Sequence, residues 1–110
     1  MKRVLLVCSA GASSGFMAKN IRIELKKRGL IDEYSVIARS DSELTEYIDD
    51  IDMLLLGPHL KYLLEEEKEY CRKHGNIPVY LVDQKAYGSL DGKAIVDFVV
   101  EKFNELEKGE

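Results

Sequence analysis

An α/β fold built on a four-stranded parallel sheet, strand order 2-1-3-4 with helices on both faces, is the architecture this sequence predicts. Three observations predict it. Apolar strand-like runs alternate with amphipathic helical stretches along the 110 residues, the pattern of strands joined by right-handed crossover helices. Two of the runs, residues 4–7 and 51–56, are almost unbroken Val, Leu, Ile and Met, as strands covered on both faces are, so they belong at the centre. The run at 34–38 is more polar at its borders and reads as an edge. Strands one and three then lie side by side, and the crevice where the chain changes direction opens at their carboxyl ends, where open α/β sheets bind ligands.

The first strand ends at Cys8. Ser9, Ala10, Gly11, Ala12, Ser13, Ser14 and Gly15 follow, small residues that let a backbone close around an anion and turn its N–H groups inward. A helix over about 13–28 has Met17, Ile21 and Leu25 at four-residue spacing, Lys26, Lys27 and Arg28 against its negative end, and Gly29 as its stop. Asp41 and Ser42 can cap a brief helix through Tyr47. The third strand breaks at Gly57-Pro58. From His59 the pattern predicts a helix to about Lys73, burying Leu60, Leu63, Leu64 and Cys71 and turning Glu65, Glu66, Glu67 and Lys68 to water. Gly75 ends it. Strand four spans 78–82, residues 83–88 read as a loop, and a last helix from near Asp91 carries Ile95, Phe98, Val99, Phe103 and Leu106 at the 3.6 period, with a polar tail at 107–110.

With 45% hydrophobic and 33% charged residues, a net charge of −4 and a pI near 5.3, the chain reads as one soluble, mildly acidic domain over 1–110 and not as a nucleic-acid binder. No apolar run approaches the ~20 residues of a membrane span, and Met1-Lys2-Arg3 leads straight into a short strand, so a cytoplasmic location is expected. Cys8 and Cys71 form no C-x-x-C pair and have no histidine cluster beside them. A zinc site and a disulfide framework are therefore not expected, which leaves thiol chemistry or packing.

Cys8 is the candidate nucleophile. At a strand's carboxyl end, before a helix whose amides and dipole favour an anion, its thiolate and a phosphoryl group on it would both be stabilised. The plainer reading is a buried core cysteine before a small-residue turn. His59, Asp83 and Tyr87 sit on the same predicted rim: His59 as a phosphate carrier or base, or as a surface or supporting residue, Asp83 as an acid–base group or a loop-opening hydrogen-bond acceptor, and Tyr87 as a hydroxyl near the turn or an apolar lid. His74 reads as a dipole contact in a last helical turn, Cys71 as a small hydrophobe, and Glu65 to Glu67 as a solvated face and not a metal site.

The stretch Leu5-Leu6-Val7-Cys8-Ser9-Ala10-Gly11-Ala12-Ser13-Ser14, with Leu55-Leu56-Gly57-Pro58-His59-Leu60-Lys61-Tyr62 and Asp83-Gln84-Lys85-Ala86-Tyr87-Gly88-Ser89-Leu90-Asp91-Gly92, resembles enzyme IIB of the lactose/cellobiose/chitobiose class of the bacterial sugar phosphotransferase system. The resemblance covers nearly the whole chain. It implies that Cys8 takes phosphate from a phosphohistidine on a IIA partner and hands it to a sugar bound by the membrane partner IIC, cradled by residues Ser9 to Gly15. It also implies that no metal, nucleotide or other cofactor is needed. Low-molecular-weight tyrosine phosphatases share the loop position, but their C-x5-R-[ST] pattern fails here, where Ser14 and Gly15 replace the arginine and hydroxyl residue and Asp83-Gln84 replaces Asp-Pro. A phosphatase-like hydrolase and a noncatalytic flavodoxin-like binding module are the alternatives.

Overall fold

The computed structural model describes residues 1–8 and 12–108, with the backbone alone for 12–14. In chain order the elements are β1 (Lys2–Cys8), α1 (Ala12–Lys27), β2 (Tyr34–Ser40), α2 (Leu44–Tyr47), β3 (Met53–Leu56), α3 (Leu64–Lys73), β4 (Val79–Leu81), α4 (Gln84–Gly88) and α5 (Gly92–Lys108). The four strands form one sheet in the order β2-β1-β3-β4, as expected. All three pairings are parallel. Lys2 through Cys8 run beside Tyr34 through Ser40, Val4 through Val7 beside Met53 through Leu56, and Leu54 through Leu56 beside Val79 through Leu81.

The unbroken apolar character of β1 has its reason in two separate layers of core. Val4, Leu6 and Cys8 pack with Met53 and Leu55 against Met17, Ile21 and Leu25 of α1 and Ile95, Val96, Val99 and Phe103 of α5. Leu5 and Val7 point the other way, with Leu54 and Leu56, toward Leu44, Ile48, Leu60 and Cys71. Period-two alternation thus sends successive side chains into opposite layers, and both layers are apolar because helices cover both faces. Each fully buried Leu or Ile contributes roughly 1.5–3 kcal/mol.

Several expectations are corrected. The helix expected from His59 begins as a 3₁₀ stretch, Pro58–Leu63, in which Leu60 departs from helical geometry (φ −99°, ψ 18°), and α3 starts only at Leu64. Leu60 and Cys71 are buried, whereas Leu63 and Leu64 are only half-buried. The brief segment after β2 is likewise α-helical only from Leu44 to Tyr47, flanked by 3₁₀ turns at Asp41–Glu43 and Ile48–Asp50. The expected loop at 83–88 is mostly the short helix α4, and Leu106 is exposed. Gly29 and Gly75 end their helices at φ +71° and +106°, the left-handed region that glycine enters without a Cβ penalty. The phosphatase-like turn expected at Ser9, Ala10 and Gly11 lies outside the described residues, as do the side chains of Ala12, Ser13 and Ser14; Gly15 lies in the first turn of α1.

Candidate active site

Cys8 is the last residue of β1, buried, with its sulfur at the carboxyl edge of the sheet. Next to it β3 gives way to Gly57, whose N–H donates to the Val7 carbonyl at 2.9 Å and so extends the β1–β3 ladder to the rim. Gly57 is a glycine for a reason of space. A Cβ there would stand 2.7 Å from Cε1 of His59, 3.2 Å from its Nδ1 and 3.3 Å from Sγ of Cys8. The missing side chain therefore leaves room for both the imidazole and the thiol. Sequence reading placed Gly57 in a turn and missed this role, for which the L-L-G-P turn beside the switch point was the available signal.

Tyr87 reaches the sulfur from the far edge of the sheet. Its hydroxyl lies 2.9 Å from Sγ of Cys8, and its ring centroid lies 5.7 Å from that of His59 at a tilt of 58°. Of the two sequence readings for Tyr87, the structure shows both at once: the hydroxyl meets the cysteine while the ring packs against the α1–α5 layer of core. What aims it is α4. Asp83 caps that helix, its Oδ2 accepting the Ala86 N–H at 3.0 Å and its carbonyl accepting the Tyr87 N–H at 2.9 Å. Asp83 is exposed and its carboxylate is committed to the cap, so its described role is to hold the helix that carries Tyr87.

The other titratable candidates are elsewhere. His74 is the C-cap of α3, at the end of the sheet opposite Cys8, with its ring 4.3 Å from that of Tyr70. Cys71 is fully buried, and that burial, with the charge of Glu67 second, pushes its thiol up to about 11. A thiol so raised stays protonated and unreactive at neutral pH. Glu67 is itself raised, by burial first and then by Glu66 and Asp41. Among the described residues no group of three His, Cys, Asp or Glu side chains is arranged to hold a metal ion.

The rim thus holds a buried thiol at the end of a central parallel strand, with a tyrosine hydroxyl 2.9 Å from its sulfur and an imidazole across Gly57. The family model described as "PTS system, Lactose/Cellobiose specific IIB subunit" matches residues 3–98. The chain belongs to that family. This IIB chain is 30% identical over 93 residues to the oligo-beta-mannoside-specific EIIB component of the phosphotransferase system of Bacillus subtilis (strain 168), covering 84% of the chain and 87% of that relative. It is 29% identical over 98 residues to the lactose-specific EIICB component of Lacticaseibacillus casei, covering 87% of the chain but only 16% of that longer protein.

Two solved structures share its fold. The lactose-specific IIB component domain from Streptococcus pneumoniae superposes with a TM-score of 0.77 at 16% identity, over 91% of this chain and 95% of that one. The cellobiose-specific phosphotransferase IIB component from Borrelia burgdorferi superposes at 0.75 with 25% identity, over 94% and 93%. In this IIB chain no helix among the described residues is long and apolar enough to cross a membrane.

Proposed function

We propose that this IIB chain, working as one domain over residues 1–110 on the cytoplasmic side of the membrane, carries a phosphoryl group on Cys8 between a IIA phosphohistidine and a sugar bound by IIC. The observation that carries the reading is the 2.9 Å contact between the Cys8 sulfur and the Tyr87 hydroxyl at the carboxyl end of β1, in a chain of the IIB family. A tyrosine O–H donated to sulfur favours the thiolate, the form that attacks phosphorus. The relative that joins IIC and IIB in one chain supports IIC as a partner. The sugar is of the lactose, cellobiose or chitobiose kind, a reading that the names of the relatives support for lactose and cellobiose, alongside one relative specific for oligo-beta-mannosides.

In the first transfer the Cys8 thiolate attacks in line. An S–P bond forms as the N–P bond of the donor breaks, and the donor imidazole departs with the bonding pair. The amides of Ser9 to Gly15 and the hydroxyls of Ser13 and Ser14 hold the equatorial oxygens, so positioning and electrostatics supply most of the rate. In the second, a sugar hydroxyl oxygen attacks the same phosphorus, the S–P bond breaks, the thiolate is regenerated and the hydroxyl proton is released. Neither step calls for a metal or cofactor, because the phosphoramidate donor already has a good leaving group.

A phosphatase would need more. Forming phosphocysteine from a stable aryl ester calls for a charged donor on the equatorial oxygens, and this sequence has Ser14 where a phosphatase has arginine. Losing one such transition-state donor typically costs about 10²–10³ in rate. Two assays decide between carrier and hydrolase. With a phosphorylated IIA of the lactose/cellobiose class, the wild type and Cys71→Ala should take up phosphate equally and Cys8→Ser none, while p-nitrophenyl phosphate turns over near background. Uptake by Cys8→Ser, or vigorous Cys8-dependent hydrolysis of the aryl ester, overturns the proposal.

A further inference from the structure

The rim of the sheet brings His59 to Cys8 in a way that the transfer scheme above does not use. The imidazole Cε1 and the Cys8 sulfur stand 2.7 and 3.3 Å from one point, the place a Gly57 Cβ would occupy, so the two are no further apart than those lengths laid end to end. The ring also neighbours that of Tyr87, whose hydroxyl meets the same sulfur. Side chains from the end of β1, the turn after β3 and α4 thus gather at one corner of the rim. His59 is exposed while Cys8 is buried, so the imidazole is open to solvent at the corner of the rim that holds the thiol.

We infer that His59 binds the phosphoryl group on Cys8 and supplies, as imidazolium, the positive charge that the turn after β1 lacks at Ser14. The inference rests on the reading of Cys8 as the phosphate carrier. A phosphoryl group brings about 1.5 to 2 negative charges and three strong acceptor oxygens. An adjacent phosphoryl anion is complementary to imidazolium, which donates a charge-assisted hydrogen bond to it. The other charged groups on the two elements are Lys61 on the 3₁₀ turn and Asp83 and Lys85 at α4, all exposed, and the Asp83 carboxylate already accepts the Ala86 amide. Tyr87 contributes a neutral hydroxyl. The expected consequence is thermodynamic: imidazolium stabilises phosphocysteine relative to free thiolate, so phosphate should partition further from IIA onto this chain than it would with a neutral residue at 59.

The test is the equilibrium distribution of phosphate between a IIA of the lactose/cellobiose class and the full chain, read by mass spectrometry for the wild type, His59→Gln and His59→Lys. His59→Gln keeps a hydrogen bond but no charge, and should lower the phosphorylated fraction by about tenfold in equilibrium constant, as expected for one charge-assisted hydrogen bond. His59→Lys should recover most of it. Circular dichroism of each variant confirms folding, which the exposed position of His59 favours. An unchanged equilibrium in His59→Gln overturns the inference, and so do equal losses in the Gln and Lys variants, since shape and not charge would then matter. Failure of the carrier reading looks different, because there Cys8→Ser would still accept phosphate.

Discussion

At the residue scale, the contact to test is the one between a tyrosine hydroxyl and the thiol. Tyr87 sits 2.9 Å from the Cys8 sulfur, and a hydrogen bond to an ionised partner is worth roughly 1.5–3 kcal/mol, or about 10- to 100-fold in an equilibrium. Tyr87→Phe keeps the ring packing and removes the donor. Alkylation of Cys8 by iodoacetamide at neutral pH should therefore slow by about tenfold in that variant, and phosphate uptake from IIA should slow with it. An unchanged alkylation rate would show that the hydroxyl does not stabilise the thiolate. Part of this was legible in the residues: the unbroken run ending at Cys8 puts that thiol at the carboxyl end of a central strand, where the structure has it. Gly57 was not, because its need for a missing Cβ arises from atoms of Cys8 and His59 that only the folded chain brings beside it.

At the scale of elements, the strands and long helices follow from periodicity, and the short ones do not. Five residues, the length of α4, are too few to show a 3.6-residue period, so Gln84–Gly88 reads as loop even though the Asp83 cap before it is a helix-start signal. The Gly57-Pro58 break similarly yields a 3₁₀ turn with a kink at Leu60 where the apolar spacing suggests a continuous helix. The start of α5 is fixed by a contact the sequence conceals. Gly92 is buried against α1, where a Cβ would come 2.5 Å from the Asn20 carbonyl oxygen and 2.9 Å from the Ile21 nitrogen, and the Asn20 side chain donates to the Leu90 carbonyl at 2.9 Å to tie the same junction. Backbone cannot swing aside as a side chain can. Gly92→Ala should therefore cost about 1–3 kcal/mol or more in urea unfolding, although alanine is the better helix former. A neutral or stabilising result would mean that α1 and α5 can part without loss.

Across the whole molecule, the order β2-β1-β3-β4 puts the two most apolar strands at the centre and Cys8 at the carboxyl end of one of them, which is why the fold and the candidate site were read together from one stretch of sequence. The same two-layer core sets apart the two cysteines. Cys8 lies at the rim, whereas Cys71 lies in the layer built from Leu5, Val7, Leu54 and Leu56, where burial raises its thiol to about 11. A raised thiol contributes stability in full below the unfolded value of about 8.5 and loses it as pH climbs toward the folded one, because the unfolded chain ionises first. Between those limits the Cys71 contribution should fall by about 3 kcal/mol. Cys71→Ala should show a correspondingly flatter decline of urea-unfolding free energy with alkaline pH than the wild type, and equal slopes would contradict the burial argument.

The central claim is that phosphate resides on the sulfur of Cys8, and the most direct measurement is to locate it. After incubation with a phosphorylated IIA of the lactose/cellobiose class, ³¹P NMR of the intact chain together with peptide mass spectrometry should show one phosphoryl group in an S–P linkage on the peptide containing Cys8. Phosphate on His59, His74 or Cys71, or an N–P linkage in the intact protein, would contradict it.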